Sequence, residues 1–307
     1  MNTARHVNVQ TLLNEQPITP YQWVVFALCF FIVLLDGFDT AAIGYIAPSL
    51  IKEWGVSKPA LAPVLSAALF GLAAGALSAG PLADRLGRKR VLAGSVALFA
   101  AACLGSAFAG DLTELAILRF ITGMGLGAAM PNAVTLTSEY CPEKRRALIT
   151  NLMFCGFPLG AALGGFLAAW MIPAFGWRSV LLAGGVVPLV LTVLLWTVLP
   201  ESVRYMVVHS WPVERIRRVL ARIAPEQAAQ AQGFVLPEPA PMSGAVQSGI
   251  SIVLSPSYRM GSFMMWLAYF MGLVIFYALI NWMPVLFKDA GLDPKTATLI
   301  SALFPLG

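Results

Sequence analysis

Gly80-Pro81-Leu82-Ala83-Asp84-Arg85-Leu86-Gly87-Arg88-Lys89-Arg90 is a short charged stretch wedged between two apolar runs, 61–82 and 91–109. About 20 apolar residues in helical form cross a bilayer core. Each flanking run is long enough to do so, and the charged stretch is where the chain reverses outside the lipid. Pro81 and Gly87 suit a tight turn, Asp84 suits a helix N-cap, and the basic cluster marks one side of the membrane.

The same rule, applied outward, gives seven full spans: 21–50, 61–82, 91–109, 115–138, 147–171, 178–199 and 260–286. An eighth begins near Thr296 and breaks off at Gly307, which reads as a longer protein cut in mid-helix. Composition agrees. Hydrophobic residues make up 58% of the 307 and charged residues only 11%, against about 25% charged in soluble domains, so lipid must cover much of the surface. The first run begins at Tyr21 and far exceeds the ~7–15 residues of a signal-peptide core, so it stays as a membrane helix. The net charge of +5 is scattered between apolar runs and reads as a topology signal, with no nucleic-acid partner. Fourteen Lys and Arg lie on the side of the N-terminus and the 200–259 segment, and five on the other. That asymmetry puts the N-terminus in the cytoplasm.

The domain layout follows: a cytoplasmic tail, 1–20; a six-helix bundle, 21–199; a cytoplasmic linker, 200–259; and the start of a second bundle, 260–307. Six spans, a linker and further spans is the plan of a protein built from two six-helix halves. Within the linker, Val213 to Ile223 reads as an amphipathic surface helix. Pro225, Pro237, Pro239 and Pro241 read as flexible connection. Glycines at fourfold spacing (Gly71 and Gly75; Gly123 and Gly127; Gly156, Gly160 and Gly164) let helix backbones approach closely, while Pro131 and Pro158 permit kinks. The cysteines Cys29, Cys103, Cys141 and Cys155 form no CxxC pair and read as packing residues, with no metal site.

The costly residues lie inside the spans. Asp36 and Asp39 in Leu34-Leu35-Asp36-Gly37-Phe38-Asp39-Thr40 are three apart on one helix face. A charge at mid-bilayer costs about 2.5–3.5 kcal/mol on insertion scales. Two close carboxylates in a low dielectric resist double ionisation, which suits the pair to carrying a proton. Arg119 in the fourth span must face a carboxylate, a carbonyl or water, or else snorkel to the interface. Tyr277, Asn281 and Trp282 on the seventh span offer aromatic surface with polar tips for a cavity, although Trp282 equally suits the interface.

As an ordered string, Gly80–Arg90 resembles the GxLaDrxGrkr signature of the major facilitator superfamily. Arg119-Phe-Ile-Thr-Gly123-Met-Gly125-Leu-Gly127 is similar to its fourth-helix RxxxGxGxG motif, and Pro200-Glu201-Ser202-Val203-Arg204 resembles PESxR after helix six. Asp36-Gly37-Phe38-Asp39 with Gly44-Tyr45-Ile46-Ala47-Pro48 resembles the DGxD…GxxAP pattern of the aromatic acid:H+ symporters. The resemblance implies an all-α polytopic membrane protein of the major facilitator fold. It further implies a proton-coupled importer of small aromatic carboxylates, working as a monomer without cofactor in the bilayer of a bacterial inner membrane. Asp36, Asp39 and Arg119 would then serve proton coupling and substrate binding. Gly80, Asp84, Arg85, Gly87 and Arg88 would belong to a cytoplasmic gate, with Glu139 a weaker candidate there. Phe38, Tyr277, Asn281 and Trp282 would line the substrate cavity. Three rivals compete. A membrane aspartyl protease normally draws its aspartates from two helices, whereas here both lie on one and no GxGD string occurs. A transporter-like receptor would bind without moving protons. Carriers of sugars or organic cations share the loop and PESxR motifs but not the DGFD string.

Overall fold

The computed structural model describes residues 6–236 and 253–306. The elements run β1 (His6–Asn8), α1 (Val9–Glu15), α2 (Pro20–Trp54), α3 (Ala62–Leu86), α4 (Arg88–Ser106), α5 (Leu112–Tyr140) and α6 (Glu143–Phe154). They continue with α7 (Gly156–Phe175), α8 (Arg178–Val198), α9 (Val203–Val208), α10 (Val213–Leu220), α11 (Pro225–Gln230), β2 (Gly233–Val235), α12 (Arg259–Asp289) and α13 (Pro294–Leu303). Among the described residues, seven stretches are long and apolar enough to cross a membrane, with α6 and α7 together forming one of them. They match the seven spans expected from the sequence, with ends displaced by a few residues.

α2 starts on a reciprocal cap: the Thr19 hydroxyl accepts from the Gln22 N–H, and the Gln22 amide oxygen accepts from the Thr19 N–H. Gln22 Nε2 then donates to the Tyr140 carbonyl oxygen at 2.7 Å, tying the start of α2 to the end of α5.

Two glycine seams hold the six-helix bundle. Along α3 and α5 the contact is reciprocal. A methyl built on Gly71 or Gly75 would lie 2.0 or 2.1 Å from the carbonyl oxygens of Phe120 and Met124. One on Gly123 or Gly127 would lie 2.0 Å from those of Ala68 and Leu72. Along α2 and α7, Gly37 faces the Phe157 carbonyl and Gly160 the Leu34 carbonyl, at 2.0 and 1.8 Å by the same measure. Lipid supplies no hydrophobic drive between helices, so close backbone packing of this kind must hold them. The fifth span breaks at Cys155, between α6 and α7. Pro158 has no N–H to give the Phe154 carbonyl four residues back, which accounts for the break there.

The loop at 80–90 is tighter than the sequence suggested. Pro81 and Asp84 both lie inside α3, and the reversal is made by Gly87 alone, at φ 95°. Only glycine adopts that conformation freely. Asp84 therefore caps nothing. The first turn of α4 is satisfied from across the bundle, where Glu201 Oε1 accepts from the Lys89 N–H at 3.0 Å.

The linker is also more structured than expected. Pro225, read as the start of flexible connection, is the first residue of α11, and β2 pairs in parallel with β1 of the N-terminal tail. Val9, Leu12 and Leu13 of α1 are buried in one core with Ile216, Leu220, Ile223 and Ala228. The amphipathic helix read over 213–223 thus buries its apolar stripe on protein. Asn14 Oδ1 accepts from the Glu143 N–H at 3.0 Å, holding the tail onto the start of α6. Pro237, Pro239 and Pro241, the rest of the expected connection, lie outside the described residues.

α12 touches the bundle through its second half only. Residues 263–275 are exposed, whereas Ile280, Asn281, Pro284 and Val285 are buried against α2 and its neighbours.

Candidate functional site

The helical pitch sorts the DGFD string. Each residue turns about 100° around the axis, so Gly37 and Phe38 face one way while Asp36, Asp39 and Thr40 face another. Gly37 meets α7, and the Phe38 ring packs where methyls on Gly164 and Gly184 would stand. Asp39 faces α5 and α4. Arg119 Nη1 donates to Asp39 Oδ1 at 2.8 Å, and Nη2 donates to the Asp39 main-chain oxygen at 3.3 Å. The Arg119 side chain is 0% exposed and that of Asp39 1%. The snorkelling alternative for Arg119 falls: it has found both a carboxylate and a carbonyl, on the same residue.

Cys103 does more than the packing its sequence context suggests: its thiol lies 3.4 Å from Asp39 Oδ1 and 3.4 Å from the Leu181 carbonyl oxygen. It is a third partner of the buried pair. Nothing in the spacing of Cys103 marks this, because the contact spans three helices. Asp39 Oδ2 and Arg119 Nε have no hydrogen-bond partner among the described residues.

Asp36 is buried at 3% exposure, yet its hydrogen bond is a weak one, from Thr40 Oγ1 at 3.4 Å. Among the described residues no cation pairs with it. Thr40 and Arg119 share a small cavity with Asn281 of α12 and the apolar side chains of Ile43, Leu65 and Leu126. Of the residues expected to line a cavity, Asn281 does so. Phe38 lies behind α2, Tyr277 packs edge-on to Phe276 at 5.6 Å, and Trp282 is half-buried against the neighbouring apolar core.

A second charged cluster sits at the end of the bundle that carries the 80–90 turn. Arg88 Nε lies 3.2 Å from Glu139 Oε1, Nη1 reaches Asn132 Oδ1 at 3.5 Å, and Nη2 is 3.8 Å from the exposed Asp84. Glu139 also accepts from the Ser202 hydroxyl. Glu201, part of the PESxR string, joins three elements. Its carboxylate caps α4, its main-chain oxygen accepts from the Tyr140 hydroxyl at 2.7 Å, and it fills the space beside Gly87. Arg85 contributes its main-chain oxygen, bonded by the Tyr205 hydroxyl at 3.0 Å. Gly80 has open space where a side chain would stand. Asp84, Arg88, Glu139, Arg204, Tyr205 and His209 enclose a cavity of about 240 Å³ here.

At the opposite end, Lys58 before α3 forms an ion pair with Asp289 at the end of α12, and Lys288 Nζ reaches the Pro48 carbonyl at 3.4 Å. These contacts join the six-helix bundle to the helix after the linker. The Lys58–Asp289 pair is exposed, so its loss should cost about 0.2–1 kcal/mol. Lys58→Glu and Asp289→Lys should each increase separation between spin labels at Ser57 and Ala290, and the charge-swapped double variant should reverse it. Unchanged distances in both single variants would remove this pair as a latch.

An all-helical membrane bundle with a buried ion pair at its centre and charged clusters at both ends is the build of a membrane carrier. The profile of the Major Facilitator Superfamily matches residues 29–307, and the chain belongs to that family, grouping within it with the aromatic acid transporters. The 4-hydroxybenzoate transporter PcaK of Pseudomonas putida is 50% identical over 306 residues, 100% of this chain and 68% of the relative. PcaK of Pseudomonas aeruginosa is 52% identical, over 99% and 67%. A gallate transporter of Pseudomonas putida is 48% identical, over 98% and 66%. The chain thus spans about two thirds of the length of these relatives. The partially occluded inward-open xylose transporter XylE from E. coli has the same fold at 20% identity, with a TM-score of 0.69 over 93% of this chain and 70% of that one. A bacterial homologue of the lysosomal transporter Spinster, at 17% identity, gives a TM-score of 0.70 over 94% and 60%. The relatives are transporters, and the protease alternative is set aside with them: the chain is not an enzyme.

Proposed function

We propose that this protein imports small aromatic carboxylates together with protons by alternating access between two six-helix halves, as a monomer in the bacterial inner membrane. The N-terminus and the 200–259 linker lie in the cytoplasm, in keeping with the fourteen-to-five distribution of Lys and Arg. Relatives named for 4-hydroxybenzoate and gallate transport support the substrate class.

The observation that carries the reading is the buried Asp39–Arg119 pair beside a buried Asp36 with no cation paired to it among the described residues. Charge counting gives the coupling. With both carboxylates ionised the site holds a net charge of about minus one in low dielectric, and a substrate anion would make it about minus two. A proton on one carboxylate brings the anion-loaded site back to its resting charge. Asp36 is the residue for that proton, because no guanidinium compensates it. Asp39 holds Arg119 in place until the substrate carboxylate takes up the free side of the guanidinium. This division of labour is what the sequence left open. Asp84, Arg88 and Glu139, held by Glu201 and Gly87, form the cytoplasmic gate.

The test is uptake of labelled 4-hydroxybenzoate into vesicles under an imposed pH gradient, with external alkalinisation recorded. Asp36→Asn and Asp39→Asn should both abolish accumulation while the protein stays inserted. Asp36→Asn should still exchange labelled for unlabelled substrate, which needs no net proton movement. Normal accumulation in both variants would sink the coupling site, and binding without alkalinisation in the unaltered protein would make it a receptor.

A further inference from the structure

Asn281 sits where α12 crosses α2. A methyl built on Gly44 would lie 2.6 Å from the Ile280 carbonyl oxygen and 3.0 Å from Asn281 Cα. Its amide nitrogen donates to the Tyr277 carbonyl oxygen, one turn back, at 3.0 Å. A carbonyl only accepts, so the nitrogen must be the end of the amide that faces it, and the oxygen is turned away from that bond. That oxygen is buried and has no hydrogen-bond partner among the described residues. A buried acceptor left bare is costly, and native structures keep few of them without a reason.

Asn281 lines the same cavity as Arg119. The other polar group there, the Thr40 hydroxyl, already donates to Asp36. Asp39 Oδ2 is a second bare acceptor, but it belongs to the ion pair on Arg119, the end to which a substrate carboxylate goes. The remaining lining is apolar, with Ile43, Leu65, Leu69 and Leu126 among it. An aromatic anion would therefore meet a cation, apolar walls and one neutral acceptor. The cavity measures about 10 Å³ as it stands, barely the room of one water. A ring enters only when α12 moves away from the other helices, which its contact through half its length permits.

We propose that Asn281 Oδ1 accepts a hydrogen bond from a ring hydroxyl of the substrate, and so sets the preference for hydroxylated over unhydroxylated aromatic acids. The inference rests on the aromatic-acid reading above and adds a selectivity determinant to it. A merely apolar pocket discriminates weakly between a ring and its hydroxylated form, whereas a buried acceptor built to meet the hydroxyl discriminates strongly.

The experiment compares uptake of 4-hydroxybenzoate, benzoate and 4-methoxybenzoate by the protein in cells, for the unaltered protein, Asn281→Leu and Asn281→Ala. Leucine keeps the γ-branched shape of asparagine with more bulk and has no acceptor; alanine removes the group outright. In both variants the ratio of kcat/KM for 4-hydroxybenzoate over benzoate should fall by about ten- to a hundredfold. Benzoate uptake should fall by much less than 4-hydroxybenzoate uptake, and the amount of membrane-inserted protein, read by immunoblot, reports that the variants are folded. The methoxy compound, which cannot donate, should behave as benzoate does in all three proteins. An unchanged ratio, or an equal fall for both acids, overturns the role of Asn281 and leaves the transport reading standing. If the full-length protein, with both six-helix halves, takes up none of the three acids, it is the transport reading that fails.

Discussion

Arg119→Leu is expected to abolish uptake and to destabilise the bundle by about 3–5 kcal/mol, the usual cost of removing one partner from a fully buried ion pair. The reason lies in what is left behind. Asp39 keeps its carboxylate in a place with 1% exposure, with only the thiol of Cys103 at 3.4 Å as a side-chain partner. Adding Asp39→Asn to the same chain removes the orphaned charge, and most of the lost stability should return. Uptake should not return, because the substrate has lost its cation. Thermal unfolding in detergent, followed alongside uptake, separates the two effects. Equal melting temperatures for the single and double variants would mean that the stranded Asp39 charge is not what costs stability.

The second large effect is steric. Gly160→Ala places a methyl 1.8 Å from the Leu34 carbonyl oxygen and Gly123→Ala places one 2.0 Å from that of Ala68. The obstacle in both cases is backbone, which cannot rotate away, so α2 must part from α7 or α3 from α5. Overpacking of this kind costs at least about 1–3 kcal/mol, and it should appear as reduced yield of folded protein and a lowered melting temperature. Gly80→Ala is the control. It belongs to the same signature string that reveals the fold, yet its methyl meets nothing within 4 Å, so stability should change by no more than about 0.5–1 kcal/mol. If all three variants melt alike, the glycine seams are not what holds the bundle.

These results bear on how much a sequence of this kind discloses. The spans were legible because lipid imposes one requirement, a sustained apolar run, that soluble cores do not. Asp36, Asp39 and Arg119 were legible for the converse reason: a charge in such a run is too costly to be incidental. The sequence also stated what Arg119 needed, although not that Asp39 would supply both acceptors. Three things stayed hidden. Phe38 lies beside two site residues in the chain, but the helical pitch turns it behind α2. Cys103 looks like any apolar residue until folding brings it to Asp39. The cap on α4 comes from Glu201, over a hundred positions away, so the local string pointed to Asp84 instead. The last two are contacts between distant segments, where neither periodicity nor turn chemistry has anything to say.

The pairing of β1 with β2 sets an order of events during synthesis. The first strand leaves the ribosome before the six helices of the bundle, whereas its partner emerges only after them. Until then Leu12 and Leu13 have no Leu220 to pack against. Until the linker emerges, the part of the tail that it covers has no partner from that segment. Its closure onto the linker therefore follows synthesis of the first half, because β2 and Leu220 both come after α8 in the chain.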